Sequence, residues 1–200
     1  MRIDWKYTRY CIYADIYRNI GYFNKKILIR ELLFSKKTVS LLIYYRLCRY
    51  YANKKKNIIE IFIHALLYWV FSNKQVAMGI ELNQRTEIGY GLRLPHRGCI
   101  IIHPRVKIGN NCEVMQGVTI GNNILKSRDN VALISNNVIL GAGAKIIGPV
   151  TIGSNVIVGA NSVVTQHIGD NSIFAGVPAR KISSLNSVVS INTDDSGQIS

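Results

Sequence analysis

The residues of this chain whose types suit proton transfer are its four histidines and a thin scatter of carboxylates. His96 and His103 stand seven apart in "GLRLPHRGCIIIHPRVKIGNNC", whereas His64 and His167 stand alone. A neutral imidazole accepts a proton near pH 7, so each is a candidate general base for an attacking hydroxyl. The spacings 96–103 and 103–167 give no closely spaced pair with a third ligand, so no zinc set, and no bound metal, is expected. Cys11, Cys48, Cys99 and Cys112 form no CxxC and no pairing pattern, which reads as reduced thiols in a cytoplasmic protein. No P-loop or GxGxxG motif is present.

Which histidine does chemistry depends on the elements that hold it. From residue 79 an aliphatic side chain recurs every sixth position. The series runs Leu82, Ile88, Leu94, Ile100, then Ile102, Ile108, Val114, Ile120, and later Ile134, Leu140, Ile146, Ile152, Val158, Val164. A period of six fits neither a helix nor an alternating strand. It fits a parallel β-helix of hexapeptide repeats, each a short strand and a corner, with glycine or asparagine where φ turns positive. His96 lies two residues after inward Leu94 and should point outward. His103 directly follows inward Ile102, a repeated corner position, and reads as structural. The phase slips between Ile100 and Ile102, and again before Ile134. The polar stretch "NNILKSRDN" (122–130) fills the second slip and reads as an extruded loop.

Residues 1–78 read as an α-helical layer that caps the open end of the solenoid. The repeat domain spans 79–182, and the polar tail 183–200 is expected to be disordered. The chain has a net charge of +14 over 200 residues. Residues 1–78 carry 15 Lys and Arg against four Asp and Glu, so the excess belongs to the helical layer. No nucleic-acid reader motif accompanies it, and no nucleic-acid partner is expected. A basic, aromatic-rich layer suits peripheral contact with an anionic membrane. The start "MRIDWKYTRY" lacks the apolar region of a signal peptide, and the apolar run Ile58–Phe71 is too short for a membrane span.

The segments "IGYGLRLPHRGCIII", "NCEVMQGVTIG", "LGAGAKIIG" and "AGVPAR" resemble the hexapeptide-repeat acyltransferases, in the branch of serine acetyltransferases and polysaccharide O-acetyltransferases. The resemblance runs from Ala14 to Ile182. It implies a mainly β fold, a left-handed parallel β-helix beneath an N-terminal α-helical layer, working as a homotrimer with acetyl-CoA in the groove between coils. His96 falls on the family's catalytic histidine. Glu81, fifteen positions upstream, falls on the carboxylate that orients it. Small residues on successive coils, Gly141, Ala142, Gly143 and Ala144, then Gly159 and Ala160, would receive the pantetheine arm, and Arg180 and Lys181 the phosphates.

The acceptor is where the pattern departs. Serine acetyltransferases carry an aspartate before the catalytic histidine, where this chain has Pro95. A second aspartate is replaced by Phe23, and an "RHP" motif by Asn130, Val131 and Ala132. The helical layer offers tyrosines instead: Tyr7, Tyr10, Tyr13, Tyr17 and Tyr22. The expectation is therefore an acetyl-CoA-dependent O-acetyltransferase acting on a carbohydrate, a surface polysaccharide or its precursor, at the inner face of the cytoplasmic membrane. Serine O-acetylation for cysteine synthesis is the alternative.

Overall fold

A computed structural model describes residues 3–35, 37–123 and 130–185. Among the described residues four helices precede the repeats: α1 (Trp5–Ile20), α2 (Lys25–Leu33), α3 (Thr38–Ala52) and α4 (Ile58–Met78). The Asp4 carboxylate caps α1 by accepting from the Tyr7 N–H at 2.7 Å. Asn57 and Glu60 close a reciprocal capping box on α4, which Gly79 ends in the left-handed region at φ 62°.

Fourteen short strands follow among the described residues. The first coil holds β1 (Ile80–Leu82) and β2 (Glu87–Ile88). The second holds β3 (Ile100–Ile102), β4 (Lys107–Ile108) and β5 (Glu113–Val114). Next come β6 (Thr119–Gly121), β7 (Leu133–Ile134) and β8 (Ile139–Leu140), then β9 (Lys145–Ile147), β10 (Thr151–Ile152) and β11 (Val156–Val158). The last are β12 (Val163–Val164), β13 (Ser172–Ala175) and β14 (Arg180–Ser184). They stack into three sheets, ordered β1-β3-β6-β9-β12, β2-β4-β7-β10 and β5-β8-β11-β13-β14. Every pairing is parallel except the last, where β14 runs back against β13. This is the β-helix that the six-residue period calls for.

All fourteen aliphatic residues of the series are buried inside the prism. Each stacks on its counterpart one coil away, as Ile102 does on Ile120 and Ile120 on Ile146. A second inward position lies two residues before members of the series, one column on each face. It escapes the simple period because its side chains are mixed: Thr86, Val106, Ala132 and Val150, then Leu92, Cys112, Val138 and Val156, then Ile100, Val118, Ala144 and Ser162. At one corner Asn137, Asn155 and Asn171 all take φ near 55° and pass side-chain hydrogen bonds up the stack at 3.0 and 2.9 Å. The first phase slip is absorbed at residues 95–99, where Gly98 and Cys99 turn through positive φ before β3. Of the predicted extruded loop, residues 124–129 lie outside the described residues. So do residues 186–200 of the tail, while Ser183 and Ser184 continue β14 beyond the expected boundary.

The first coil has no coil beneath it, and its carbonyls are capped by helix side chains. Arg46 of α3 donates to the carbonyls of Ile88 (2.7 Å) and Gly89 (2.6 Å). Tyr45 donates to the Thr86 carbonyl at 2.6 Å, and Arg49 to those of Arg85 and Thr86. Arg18 and Asn19 of α1 reach the Gly91 and Leu92 carbonyls. The helical layer thus supplies the hydrogen bonds that an open sheet edge lacks.

Candidate active site

His96 sits at the corner where the third side of the first coil turns into β3, exposed as its register demands. The segment leading to it is held from both sides. Above, Arg93 bridges in parallel to Glu113 and their side chains pair at 2.8 Å. Below, the Thr38 hydroxyl donates to the Leu94 carbonyl at 2.5 Å, and the Leu94 N–H donates to Asn19 Oδ1 at 3.1 Å. The Leu92 N–H donates to Asp15 Oδ1 at 2.9 Å. Asp15 in turn accepts from Arg46 Nε at 2.8 Å, both side chains fully buried. Burial pushes the Asp15 carboxyl up, and the Arg46 guanidinium opposes it.

A cavity of about 500 Å³ opens beside His96, lined by Asn19, Lys37, Thr38, Arg93 and Arg97 among others. Among the described residues neither Lys37 nor Arg97 has an ion-pair partner. Sequence reasoning passed over these groups. Arg97 was legible as the neighbour of His96, but Lys37, Thr38 and Asn19 carry no motif and reach the corner only through the fold.

Glu81 lies on β1, exposed, one rung beneath Ile101. The same edge of the prism carries the 95–99 corner, whose Gly98 and Cys99 backbone packs over Gly79. Among the described residues no hydrogen bond joins Glu81 to His96. His103 accepts from the Arg105 N–H at 3.2 Å within its own turn, a corner role. His167 accepts from the Thr151 N–H, and His64 bonds Gln84 and Lys56. Burial pushes the Cys112 thiol up to about 11 and the Cys48 thiol up to about 12, which keeps both protonated near neutral pH. Among the described residues no three His, Cys, Asp or Glu side chains gather as a metal set.

The small-residue segments continue the His96 edge. The Gly117 N–H donates to the Gly98 carbonyl, the Gly143 N–H to the Gln116 carbonyl and the Asn161 N–H to the Ala142 carbonyl, at 2.8–2.9 Å. At about 4.8 Å per rung, Ala142 stands roughly 10 Å above the His96 corner and Ala160 roughly 15 Å. The Ala142 and Ala160 N–H groups and the Gly143 carbonyl have no partner among the described residues, so they remain open to a ligand amide. Ala144 is a correction. It is fully buried, its N–H donates to the Gly141 carbonyl, and its carbonyl accepts from the Thr119 N–H, so nothing of it faces a ligand. Arg180 and Lys181 are exposed on β14, just past the last corner of this edge.

The glycines also answer to stacking. A Cβ at Gly141 would lie 2.7 Å from both the Ala160 nitrogen and the Val158 oxygen, and one at Gly159 2.9 Å from the Ala175 Cβ. Gly141→Ala should therefore lower stability by about 1–3 kcal/mol, as overpacking does, measured by urea unfolding. An unchanged midpoint would leave coil stacking without a claim on that glycine.

Comparison with known proteins gives the same outline. Residues 132–166 match the family model described as bacterial transferase hexapeptide (six repeats), and residues 100–125 the hexapeptide repeat of succinyl-transferase. The serine acetyltransferase of Haemophilus influenzae is 30% identical over 139 residues, 70% of this chain and 49% of that protein. The chain thus spans about half the length of the curated relatives it matches. A serine acetyltransferase in complex with cysteine superposes with a TM-score of 0.70 at 26% identity, covering 93% of this chain and 68% of that one. Another, in complex with CoA, gives 0.66 at 27%, covering 86% and 68%. The likeness carries the left-handed hand of the solenoid and its N-terminal helical region.

These findings overturn the carbohydrate acceptor. The curated relatives reported at comparable similarity are serine acetyltransferases. The tyrosines that suggested a sugar do not line the cavity at His96. Tyr13 packs on Phe23, and Tyr10 packs edge-on against Tyr90. Tyr13 thus packs within the helical layer and Tyr10 against the first coil.

Proposed function

We propose that this chain, a hexapeptide-repeat protein of the serine-acetyltransferase-like kind, transfers the acetyl group of acetyl-CoA to the hydroxyl of serine. The observation that carries this reading is the cavity beside His96, with Lys37 and Arg97 free to hold a carboxylate. Pro95 stands where an aspartate is expected, so recognition of the amino acid rests on these cations rather than on that carboxylate.

In this reading His96 takes the proton of the serine hydroxyl as its oxygen attacks the thioester carbonyl carbon. The tetrahedral oxyanion collapses, the carbon–sulfur bond breaks, and the imidazolium returns its proton to the departing thiolate. The products are O-acetylserine and free CoA. Glu81 orients the ring and stabilises the imidazolium. Catalytic hydrogen bonds are often long in an unliganded enzyme and tighten around substrate, which accommodates the open Glu81–His96 pair. The pantetheine amides would meet Ala142, Gly143 and Ala160, with Gly141 and Gly159 shaping the corners and Arg180 and Lys181 meeting the phosphates.

A homotrimer would close the groove along this edge. Exposed Ile101 and Leu133, outward on two different sheets, suit burial between subunits. We place the enzyme in the cytoplasm, where acetyl-CoA and serine are both at hand. The decisive assay follows CoA thiol release from acetyl-CoA with L-serine. Serine-dependent release supports the reading, and none above hydrolysis refutes it. Arg97→Gln should raise the KM for serine roughly 10–100-fold with kcat little changed, the worth of one charged hydrogen bond. An unaltered KM would take Arg97 out of acceptor binding.

A further inference from the structure

Helix α4 buries only a narrow stripe. Phe71 and Met78 are buried against the rest of the protein, with Leu67 and Val70 packed beside them. The opposite side is apolar from Ile59 to Trp69, with Asn73 interrupting it before Val76, and is open. Ile59, Phe62, Leu66, Trp69 and Val76 follow one another at helical spacing, and Phe62, Leu66 and Trp69 are 70%, 63% and 65% exposed. The end of α2 extends the patch. Lys74 of α4 donates to the Ser35 carbonyl at 2.9 Å, and neighbouring Phe34 is 79% exposed. A helix apolar all round is ordinarily enclosed, and a free surface rarely leaves so large a patch open.

Two physical facts select what covers it. No described helix is long and apolar enough to cross a membrane, so α4 can lie on a bilayer but not span one. The patch is also framed by positive charge. Lys54, Lys55 and Lys56 precede α4, and residues 1–78 carry a net +11. Among the described residues Lys55 is exposed and unpaired. A second copy docking by this face would set two such layers against each other, whereas an anionic lipid surface neutralises them. Tyr68 and Trp69, both exposed, are side chains suited to the headgroup boundary.

We propose that α4 is an interfacial docking helix for an anionic lipid bilayer, inserting Phe62, Leu66 and Trp69 while Lys55 and its neighbours meet the headgroups. This goes beyond the acetyl-transfer reading and does not rest on it, because the test reads partition and not turnover.

The test uses the full chain in a Trp5→Phe background, so that Trp69 is the remaining tryptophan. Vesicles of phosphatidylcholine alone are compared with vesicles containing one quarter phosphatidylglycerol, by co-sedimentation and Trp69 emission. Binding to the anionic vesicles with a blue shift is expected, weakening on raising salt from 0.05 to 0.5 M (roughly a threefold shorter screening length). Phe62→Gln with Leu66→Gln should weaken binding more than about tenfold. Lys55→Gln, on an exposed side chain that disturbs no packing, should weaken it about fivefold. Circular dichroism verifies that each variant is folded, and if the double variant unfolds, Lys55→Gln and the salt series decide. No binding, or equal binding to both vesicles, overturns the proposal. So does a larger assembly in solution that Phe62→Gln with Leu66→Gln dissociates, for that assigns the face to a second copy.

Discussion

Replacing His96 by alanine should lower kcat roughly 10²–10⁴-fold, the usual worth of a positioned general base. CoA affinity, measured by calorimetry, should stay within about twofold, because the corners proposed to hold the cofactor lie two and three rungs away. The ring is exposed and has no partner among the described residues, so its loss leaves no cavity and no orphaned group in the fold. An alanine enzyme with undiminished turnover would take the chemistry away from this corner. Glu81→Gln makes a graded companion: it keeps shape and removes charge, so its kcat should fall less than that of the alanine variant. Its pH profile should also move, because the imidazolium loses its counter-charge. A profile and kcat identical to the parent would leave Glu81 without a positioning role.

Asp15→Ala should be the most destabilising single change in the helical layer, costing about 3–5 kcal/mol. It strands a buried guanidinium and strips the Leu92 N–H of its acceptor at once. For a protein of this size that is a fall in Tm of roughly 6–20 °C. The damage should also reach function, because the segment that Asp15 holds at Leu92 leads directly to His96. Pairing the change with Arg46→Met should recover part of the loss, since removing both charges leaves nothing buried and unpaired. A drop of only a degree or two in the single variant would mean that the ion pair does not anchor the helices to the first coil.

The sequence was a good guide to the solenoid for a local reason. One inward aliphatic residue per hexad is repeated over more than a dozen repeats, and each strand pairs with a near copy of itself, so periodicity and tertiary register are the same information. Leu94 fixed the outward direction of His96, and Ile102 marked the His103 corner as structural, because each inward residue of the series closes one side of a coil and the positions that follow it fall on the corner. The same periodicity, carried one step further, would have placed Ala144 inside the prism, two residues before inward Ile146. The carbohydrate expectation came from three departures from the family pattern, at Pro95, Phe23 and Asn130 to Ala132, together with the tyrosines, and neither kind of observation locates the groups that surround His96. A count of tyrosines does not say which of them face a cavity.

By itself, the sequence determined the coil, its breaks, the edge that carries His96 and the basic character of the helices. Only the tertiary structure decided what surrounds the imidazole. Asn19 of α1, and Lys37 and Thr38 at the start of α3, lie far away in the chain, and their meeting with the Leu94 segment depends on how those helices dock on the first coil. It also decided which side of α4 stays open. An apolar run reads alike on every face, and the side that meets solvent is fixed by the partner helix rather than by the run.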